Sequence, residues 1–158
     1  MKKESLFLKK IKFKDISIYL LKDETTLLGI YFKKPRGTFL KKDPLFKKEV
    51  KQLGEYFQGK RKKFSIRLEI EGTKFQKKIL NALRKIPYGK TRPYSGIART
   101  VGSPKAARAV GSACRMNPFP ILIPCHRVVS KSGIGGYSGG LRIKKRLLSL
   151  ESRKHKYL

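Results

Sequence analysis

Residues 117–129 read NPFPILIPCHRVV, an apolar run that delivers a thiol, Cys125, and an imidazole, His126, side by side. The prolines of this run fix the backbone φ angle and remove amide donors, so we expect a stiff turn around Cys125. A thiol becomes reactive when a base and a positive charge stabilise its thiolate, and His126 and Arg127 offer both. The stretch therefore predicts a nucleophilic cysteine that a rigid turn holds in one orientation.

The same stretch has a plainer interpretation. Free cysteine is among the most buried residue types, and Cys-His adjacency alone is compatible with an ordinary core. The chain has two cysteines, Cys114 and Cys125, and two histidines, His126 and His155. This set cannot supply a four-thiolate site and shows no secreted disulfide pattern. We therefore expect no metal, a reducing compartment, and a small buried residue at Cys114.

The formal net charge is +30 over 158 residues. Residues 1–70 carry twenty Lys or Arg against eight acids, a net of +12, and residues 71–158 carry twenty against two, a net of +18. Such an excess resists compaction unless it meets a polyanion, and nucleic acid is the commonest one. An anionic membrane surface is the alternative. However, the apolar runs are far shorter than the roughly 20 residues of a membrane span, and no signal peptide is recognisable.

The first part of the chain predicts a small antiparallel sheet followed by a helix. Strands rich in β-branched and aromatic residues are expected at residues 12–14, 16–20 and 26–32, with residues 22–25 as a hairpin connection. A helix with apolar residues at helical spacing begins near Pro44 and ends at Gly59. Residues 64–70 alternate as a further strand. We therefore expect an α/β domain over residues 1–70 and a second domain over residues 71–158.

From Thr73 onward the apolar residues follow helical spacing, and Thr73 is a suitable N-cap for the first of three helices. The second is expected over residues 94–101. Residues 103–104 (Ser-Pro) predict the N-cap and first position of the third, which ends near Arg115. Two short helices around a glycine turn form a helix-turn-helix pattern, and the small side chains of residues 105–113 allow close approach to DNA. An ordinary pair of packed helices has the same sequence pattern. The excess of Lys and Arg residues favours the interpretation as a nucleic-acid contact.

The last motif joins a glycine-rich loop, residues 133–140, to an amphipathic helix that ends at Glu151. A carboxylate at a helix C-terminus is unfavourable with the helix dipole. The second domain contains one other acid, Glu71. We therefore expect Glu151 to have a specific partner, with a chance surface acid as the alternative.

Taken together, these motifs closely resemble the O6-alkylguanine-DNA alkyltransferases, also called methylated-DNA–protein-cysteine methyltransferases. The resemblance rests on residues 124–128 (PCHRV), 105–111 (KAARAVG), 117–118 (NP) and 137–141 (YSGGL). It is dense over residues 75–151 and specific, because the separated motifs occur in family order, whereas the N-terminal part matches only in layout. The resemblance implies an α/β, ribonuclease-H-like N-terminal domain, a small antiparallel sheet plus helix, followed by a mainly α, winged-helix-like catalytic domain.

The resemblance also implies the chemistry: irreversible transfer of an alkyl group from O6 of guanine to Cys125, once per molecule and without a cofactor. His126 would act as the base for Cys125 through a water, and Glu151 would orient His126 and stabilise its charge. Asn117 would fix the turn that carries Cys125, and Tyr94 would crowd the target phosphate and donate a proton to the leaving guanine. The implied guanine pocket comprises Tyr137, Ser138 and Val128, and the implied DNA contacts are Tyr94, Lys105, Ala107, Arg108 and Arg115.

The implied partner is double-stranded DNA that carries an alkylated guanine. Because the alkyl group of a stacked guanine cannot reach a buried thiol, the nucleotide must be flipped out, and Arg108 would fill the vacated stack. In the family this helix lies in the minor groove, so binding would depend on phosphates and shape more than on base sequence. We expect a monomer, in the cytoplasm of a prokaryote with access to the nucleoid, or in the nucleus of a eukaryote. O4-alkylthymine is a further candidate substrate.

The sequence departs from the family at some positions. The N-terminal Cys and His residues with which some relatives bind zinc are absent, and Pro93 stands where a small hydroxyl residue is commoner. Three rival functions remain open. The first is a non-catalytic lesion binder, but such proteins typically lack the cysteine. The second is a basic architectural or ribosome-associated protein, which would leave Cys125, His126 and Glu151 unexplained. The third is a cysteine hydrolase, which would need an oxyanion loop that is not evident.

Overall fold

The computed structural model describes residues 5–152 of the chain. The chain divides into two compact units, Met1–Glu69 and Ile70–Leu158, and each is described by itself. Within the described residues, no helix is both long enough and apolar enough to cross a bilayer.

The first unit contains a three-stranded antiparallel sheet in the order β1-β2-β3. Its strands are β1 (Phe7–Phe13), β2 (Ile16–Lys22) and β3 (Leu27–Tyr31). Alternate residues of β2 face the core, so that Ile18 and Leu20 are fully buried while their neighbours are half-exposed. The β1–β2 hairpin turns through Lys14, whose φ of 52° is left-handed. The predicted sheet is confirmed, and β1 begins earlier than expected because residues 7–11 pair with β2 in continuous register.

A helix follows the sheet in the same unit. A 3-10 turn, Asp43–Phe46, has Pro44 in its first turn and leads into α1 (Lys47–Phe57). Proline suits this position because the first amides of a helix have no partner within the helix. The core of the unit includes Phe46, Leu53 and Tyr56, each fully buried. The helix ends before Gly59, whose φ of 74° is left-handed, as the sequence predicts.

The predicted strand at residues 64–70 is wrong. The alternation is real, since Ile66 is buried while Ser65 and Arg67 are exposed, but the segment belongs to no sheet. Its backbone bonds to a side chain: the Ser65 amide donates to Gln52 Oε1 at 3.0 Å, and Gln52 Nε2 donates to the Ser65 hydroxyl at 2.7 Å. Gln52 is a buried residue of α1. The side chain of a helix residue, rather than a neighbouring strand, therefore bonds the backbone at Ser65.

The second unit is mainly helical. Its helices are α2 (Lys74–Arg84), α3 (Tyr94–Thr100), α4 (Ala107–Met116) and α5 (Leu141–Glu151). Two short strands, β4 (Arg92–Pro93) and β5 (Val128–Val129), pair in parallel. Thr73 caps α2 as expected, in a capping box with Gln76. Apolar residues of α2 and α5, such as Leu83 and Leu147, lie in the core.

The predicted start of α4 is wrong by three residues. The structure begins α4 at Ala107, with Ala106 rather than Ser103 at the N-cap position. Gly102 ends α3 in a left-handed conformation, with φ of 78°. The next residues close a turn, in which the Ala106 amide donates to the Ser103 carbonyl at 2.9 Å. Ser103 and Pro104 therefore form the link between the two helices instead of the first turn of the second.

Candidate active site

Asn117 organises the turn that carries the predicted nucleophile. It is the residue after α4 and is buried. Its Nδ2 donates to the Ile123 carbonyl at 2.8 Å, and its Oδ1 accepts from the Phe119 amide at 2.9 Å. The loop is closed further by the Cys125 amide, which donates to the Ile123 carbonyl at 2.8 Å. Ile121 adopts a left-handed φ of 76°, which is a strained conformation for a β-branched residue. The hydrogen bonds of Asn117 and Cys125 hold the loop in this conformation.

Cys125 begins a short 3-10 turn, Cys125–Arg127, and is 3% exposed. Burial raises the pKa of its thiol, because a thiolate loses solvation in an apolar environment. The Asn117 side chain, the Lys144 charge and the Tyr137 hydroxyl each lower the pKa of the Cys125 thiol in part. The net pKa stays above the ordinary value. The resting residue is therefore a thiol, which needs a base to become a nucleophile.

His126 is fully buried beside Glu151, with 2.7 Å between His126 Nε2 and Glu151 Oε1. Burial raises the pKa of Glu151, but the bonds and charges of His126 and Arg127 outweigh it and lower that pKa to about 2. An ionised carboxylate only accepts hydrogen bonds, so His126 Nε2 carries the proton. Nδ1 then holds the lone pair, and it has no hydrogen-bond partner among the described residues. Because burial also lowers the pKa of His126, the ring is neutral at pH 7 and Nδ1 is able to accept a proton.

Arg127 does not have the role that its sequence position suggested. Its guanidinium binds Glu151 through two bonds, Nε to Oε2 at 2.9 Å and Nη2 to Oε1 at 2.8 Å. Its Nη1 donates to the Ile86 carbonyl at 2.8 Å. The expected thiolate-stabilising charge is instead used to hold a buried carboxylate. The partner that the sequence predicts for Glu151 is thus a pair, His126 and Arg127.

The cation that acts on the thiol is Lys144, a residue that the sequence reasoning missed. It lies on α5 and is 0% exposed. Its ammonium donates to the Val128 carbonyl at 2.7 Å and to the Gly136 carbonyl at 2.9 Å. Burial lowers its pKa. A signal was present: Lys144 stands among the buried positions Ile143, Leu147 and Glu151 of α5, where a lysine on an apolar face requires a partner.

A cavity of about 400 Å³ opens beside Cys125. Its walls come from α3, α4, the Cys125–Arg127 turn and the glycine-rich loop. The lining residues are Tyr94, Gly111, Cys114, Arg115, Cys125, Ser130, Gly135, Gly136, Tyr137 and Ser138. The structure thus brings Tyr94, Arg115, Tyr137 and Ser138 together around Cys125. Val128 is fully buried in β5 and is not part of this lining.

Tyr94 and the glycine-rich loop fit closely together. Gly135 has a left-handed φ of 75°, and a Cβ at this position would lie 3.0 Å from the Tyr94 ring. The loop can therefore pass over the ring only because this residue has no side chain. Burial raises the pKa of the Tyr94 hydroxyl, although a backbone bond from Gly136 lowers it in part. Tyr94 consequently keeps its proton at neutral pH.

Cys114 shares the cavity with Cys125, and it is half-buried rather than fully buried as expected. Burial, followed by the nearby Cys125, raises the pKa of the Cys114 thiol to about 12. Cys114 therefore remains protonated. Among the described residues, no group of three or more His, Cys, Asp or Glu side chains is arranged to hold a metal ion.

The remaining predicted DNA contacts lie on or next to α4. Arg108 and Arg115 are exposed and seven residues apart, two turns of helix, so they share one face. Lys105 is exposed in the turn before α4, and Ala107 is half-buried at its first position. The outer surface of α4 is therefore basic, while Val110 and Ala113 on its inner surface are buried.

Comparison with known proteins agrees with this architecture. The model of the 6-O-methylguanine DNA methyltransferase DNA binding domain matches residues 74–153, and that of the ribonuclease-like domain of the same protein matches residues 7–70. The fold and the site thus define a DNA-binding domain joined to a ribonuclease-like domain. The chain belongs to the 6-O-methylguanine DNA methyltransferase family.

Individual relatives match over most of the chain. The methylated-DNA–protein-cysteine methyltransferase of Methanosarcina acetivorans is 44% identical over 141 residues, 85% of this chain and 90% of that protein. The constitutive enzyme of Bacillus subtilis is 49% identical over 123 residues, 77% of this chain and 74% of that one. The crystal structure of the Mycobacterium tuberculosis O6-methylguanine methyltransferase gives a TM-score of 0.84 at 36% identity, with 92% of both chains covered. A structure of the M. tuberculosis protein in complex with DNA gives 0.85 at 36% identity and the same coverage.

Proposed function

We propose that this protein repairs DNA by transferring an alkyl group from O6 of guanine in a duplex to its own Cys125. The observation that carries the proposal is a buried thiol at the wall of a cavity, next to a histidine that a buried carboxylate holds in one tautomer. The transfer is stoichiometric, since a thioether is a poor leaving group and the acceptor is not regenerated. No cofactor takes part. Family membership and relatives named for this reaction support the proposal.

The proposed step is an in-line displacement. The thiol proton of Cys125 passes through a water to Nδ1 of His126, whose Nε2 proton stays on the bond to Glu151. The sulfur then bonds to the alkyl carbon while the bond from that carbon to O6 breaks, and the electron pair stays with the guanine. Tyr94 donates its hydroxyl proton to the leaving guanine and regains one from solvent, while His126 Nδ1 releases to solvent the proton that it took from the thiol. Its place in the lining of the cavity that Cys125 also lines supports this role of Tyr94.

The supporting residues have separate roles in the proposal. Asn117 holds the turn and donates to the sulfur as its negative charge develops. Tyr137, Ser138 and the backbone around Val128 contact the guanine. Arg127 keeps Glu151 ionised. Cys114 stays unreactive in the same cavity, since its pKa of about 12 leaves it protonated and a thiol is a weak nucleophile.

DNA reaches this site through the second domain, which we assign to residues 71–158, with the N-terminal domain at residues 1–70. The nucleotide flips into the cavity, and Arg108 fills the vacated stack at a cost of a few kcal/mol for unstacking. Lys105, in the turn before α4, contacts the DNA together with Ala107, Arg108 and Arg115 of α4. The protein acts as a monomer where it has access to chromosomal DNA, in a prokaryotic cytoplasm or a eukaryotic nucleus.

Intact-protein mass spectrometry tests the proposal. The protein is incubated with a duplex that carries one O6-methylguanine, and Cys125→Ala and Cys114→Ala are treated in parallel. We expect one added methyl group on the wild type and on Cys114→Ala, and none on Cys125→Ala. Tight binding of wild type without a change of mass would instead identify a lesion-binding protein.

A further inference from the structure

The segment that follows α2, residues 86–90, forms a tight turn beside the end of α5. The Lys90 amide closes this 86–90 turn by donating to the Pro87 carbonyl at 3.0 Å. Gly89 has a left-handed φ of 76°, a conformation that glycine adopts without strain. The proposed chemistry uses none of these residues, although they lie against two residues that fix the proton of His126.

The first of these two residues is Arg127, which the 86–90 turn contacts at two points. The Ile86 carbonyl accepts from Arg127 Nη1 at 2.8 Å. The ring of Tyr88 lies against the guanidinium, with 5.7 Å between the ring centroid and Cζ, which is within the range of a cation–π contact. The turn therefore helps to hold the guanidinium whose other nitrogens bind Glu151.

The second residue is Glu151, the last residue of α5. The Gly89 amide donates to Glu151 Oε2 in a long bond of 3.5 Å. The Tyr88 hydroxyl donates to the carbonyl of the preceding residue, Leu150, at 3.3 Å. A Cβ at position 89 would lie 3.0 Å from the backbone carbonyl oxygen of Glu151, so the turn comes this close only because residue 89 has no side chain.

These contacts bear on the tautomer of His126. The hydrogen bond at one ring nitrogen of a histidine decides which nitrogen carries the proton, and here that bond is the 2.7 Å contact between His126 Nε2 and Glu151 Oε1. It persists only while the carboxylate stays in line with Nε2. A side chain that orients a reacting group needs support of its own to hold that geometry, and the 86–90 turn lies where it supplies this support.

We propose that Tyr88 and Gly89 are positioning residues for methyl transfer. The 86–90 turn fixes Arg127 and Glu151, and Glu151 in turn keeps the proton of His126 on Nε2. The inference rests on the proposed function, in which Nδ1 must be free to accept the thiol proton.

Nitrogen NMR of isotope-labelled histidine tests the positioning without any substrate. The signals of His126 are those that disappear in His126→Gln. In the wild type at pH 7 we expect the proton on Nε2 alone. In Gly89→Ala the added Cβ pushes the turn away from Glu151, and we expect a mixture of the two tautomers. Gly59→Ala is the matched control, because Gly59 also has a left-handed φ, 74°, but nothing lies within 4 Å of an added Cβ; it should match wild type.

Single-turnover methyl transfer at a saturating concentration of O6-methylguanine duplex gives the second readout. We expect Gly89→Ala to react about 10-fold more slowly than wild type, because proton acceptance is impaired, while its affinity for the duplex changes little. Tyr88→Leu removes the ring from Arg127 without placing new atoms against Glu151, and it should also show mixed tautomers and slower transfer. Tyr88→Phe keeps the ring and should restore both properties to those of wild type.

Three results would overturn the inference. One is a single, wild-type tautomer of His126 in both Gly89→Ala and Tyr88→Leu. Another is slower transfer by Gly89→Ala with the wild-type tautomer, since the turn would then act on something other than His126. The third is an equal loss of rate in Gly59→Ala, which would indicate a general effect of backbone strain. In all three cases the wild type would still be methylated on Cys125, whereas failure of the proposed function would leave the wild type unmethylated.

Discussion

At the scale of single residues, the site is defined by where each proton is held. The carboxylate of Glu151 accepts from both His126 and Arg127, which fixes the histidine proton on Nε2 and leaves Nδ1 as the basic atom. Burial keeps Cys125 protonated at rest. A buried thiol with a raised pKa is a weak nucleophile at rest. It becomes reactive only when a proton acceptor and an alkyl carbon are both aligned with it.

The same residues predict how stability depends on pH. Burial lowers the folded pKa of His126 below its unfolded value of about 6.5, and the folded pKa of Glu151, about 2, lies below its unfolded value of about 4.3. For both groups the unfolded chain binds protons first as pH falls, so the folded state loses stability. We expect the free energy of unfolding to decrease from about pH 6.5 downward and to continue decreasing toward pH 2, as measured by denaturant titration at several pH values.

The matched variant for this prediction is His126→Gln, which cannot be protonated in this range. Its free energy of unfolding should change less than that of wild type between about pH 6.5 and pH 5, although the variant is less stable throughout. A wild-type protein whose stability rises as the solution is acidified through this window would contradict the assignment of a neutral buried histidine.

At the scale of elements, α5 connects the separate parts of the site. Its Glu151 accepts from His126 and Arg127. Its Lys144, two turns earlier, donates both to the Val128 carbonyl, just after the Cys125–Arg127 turn, and to the Gly136 carbonyl of the glycine-rich loop. The loop contributes Tyr137 and Ser138 to the cavity. One helix therefore positions both His126 and one wall of the cavity.

Replacing Lys144 tests this role. In Lys144→Met the buried Val128 carbonyl and the partly buried Gly136 carbonyl lose their donor. This loss costs about 2 kcal/mol, and the charge that favours the thiolate disappears. We expect a lower free energy of unfolding and a slower methyl transfer, with a larger loss for transfer than for DNA binding. Lys145→Met, at the exposed neighbouring position, removes the same charge from the chain and should leave transfer unchanged. Equal behaviour of the two variants would argue against Lys144 as a positioning residue.

The elements also show what could be predicted from sequence. Local signals were sufficient for α1 and α5, where the apolar spacing agrees with the fold, and for the Thr73 cap of α2. They failed at residues 64–70, because alternation reports burial and cannot tell whether the backbone pairs with a strand or with the side chain of Gln52. They failed at Ser103 because a good N-cap residue was needed for the turn between α3 and α4. Lys144 and the Arg127–Glu151 bonds depend on contacts between distant segments, which no local pattern specifies.

Within the site, the resemblance to a known family indicated which residues to expect. The structure shows where their side chains lie. It brings Tyr94, Tyr137, Ser138 and Arg115 to the cavity that Cys125 lines, whereas the Val128 side chain is in the core. The tautomer of His126 and the use of Arg127 could not be deduced from adjacency to Cys125, because both depend on a carboxylate that lies 24 residues or more away in the chain.

At the scale of the whole molecule, the charge of +30 determines how the protein meets DNA. Both halves are basic, so the molecule is attracted to any duplex before it meets a lesion. The exposed residues Lys105 and Arg115, next to and on α4, offer phosphate contacts without base readout. This suits a protein whose target is a rare modified base in any sequence context.

The charge predicts a strong dependence of DNA affinity on salt. If about four phosphates are neutralised, the affinity for an unmodified duplex should fall about 100-fold between about 50 and 200 mM salt, with little dependence on base sequence. Fluorescence anisotropy with duplexes of different composition measures both. An affinity that hardly changes with salt would exclude phosphate contacts as the main source of binding.

The central claim is that Cys125 accepts one alkyl group irreversibly, and a stoichiometry measurement tests it most directly. The protein is mixed with an increasing excess of duplex that carries O6-methylguanine, and the number of repaired guanines per protein molecule is counted. The account predicts that repair rises with substrate and stops at one guanine per protein, with the methyl group located on Cys125 by peptide mass analysis. Repair of several guanines by each protein molecule, or a full equivalent of repair by Cys125→Ala, would contradict it.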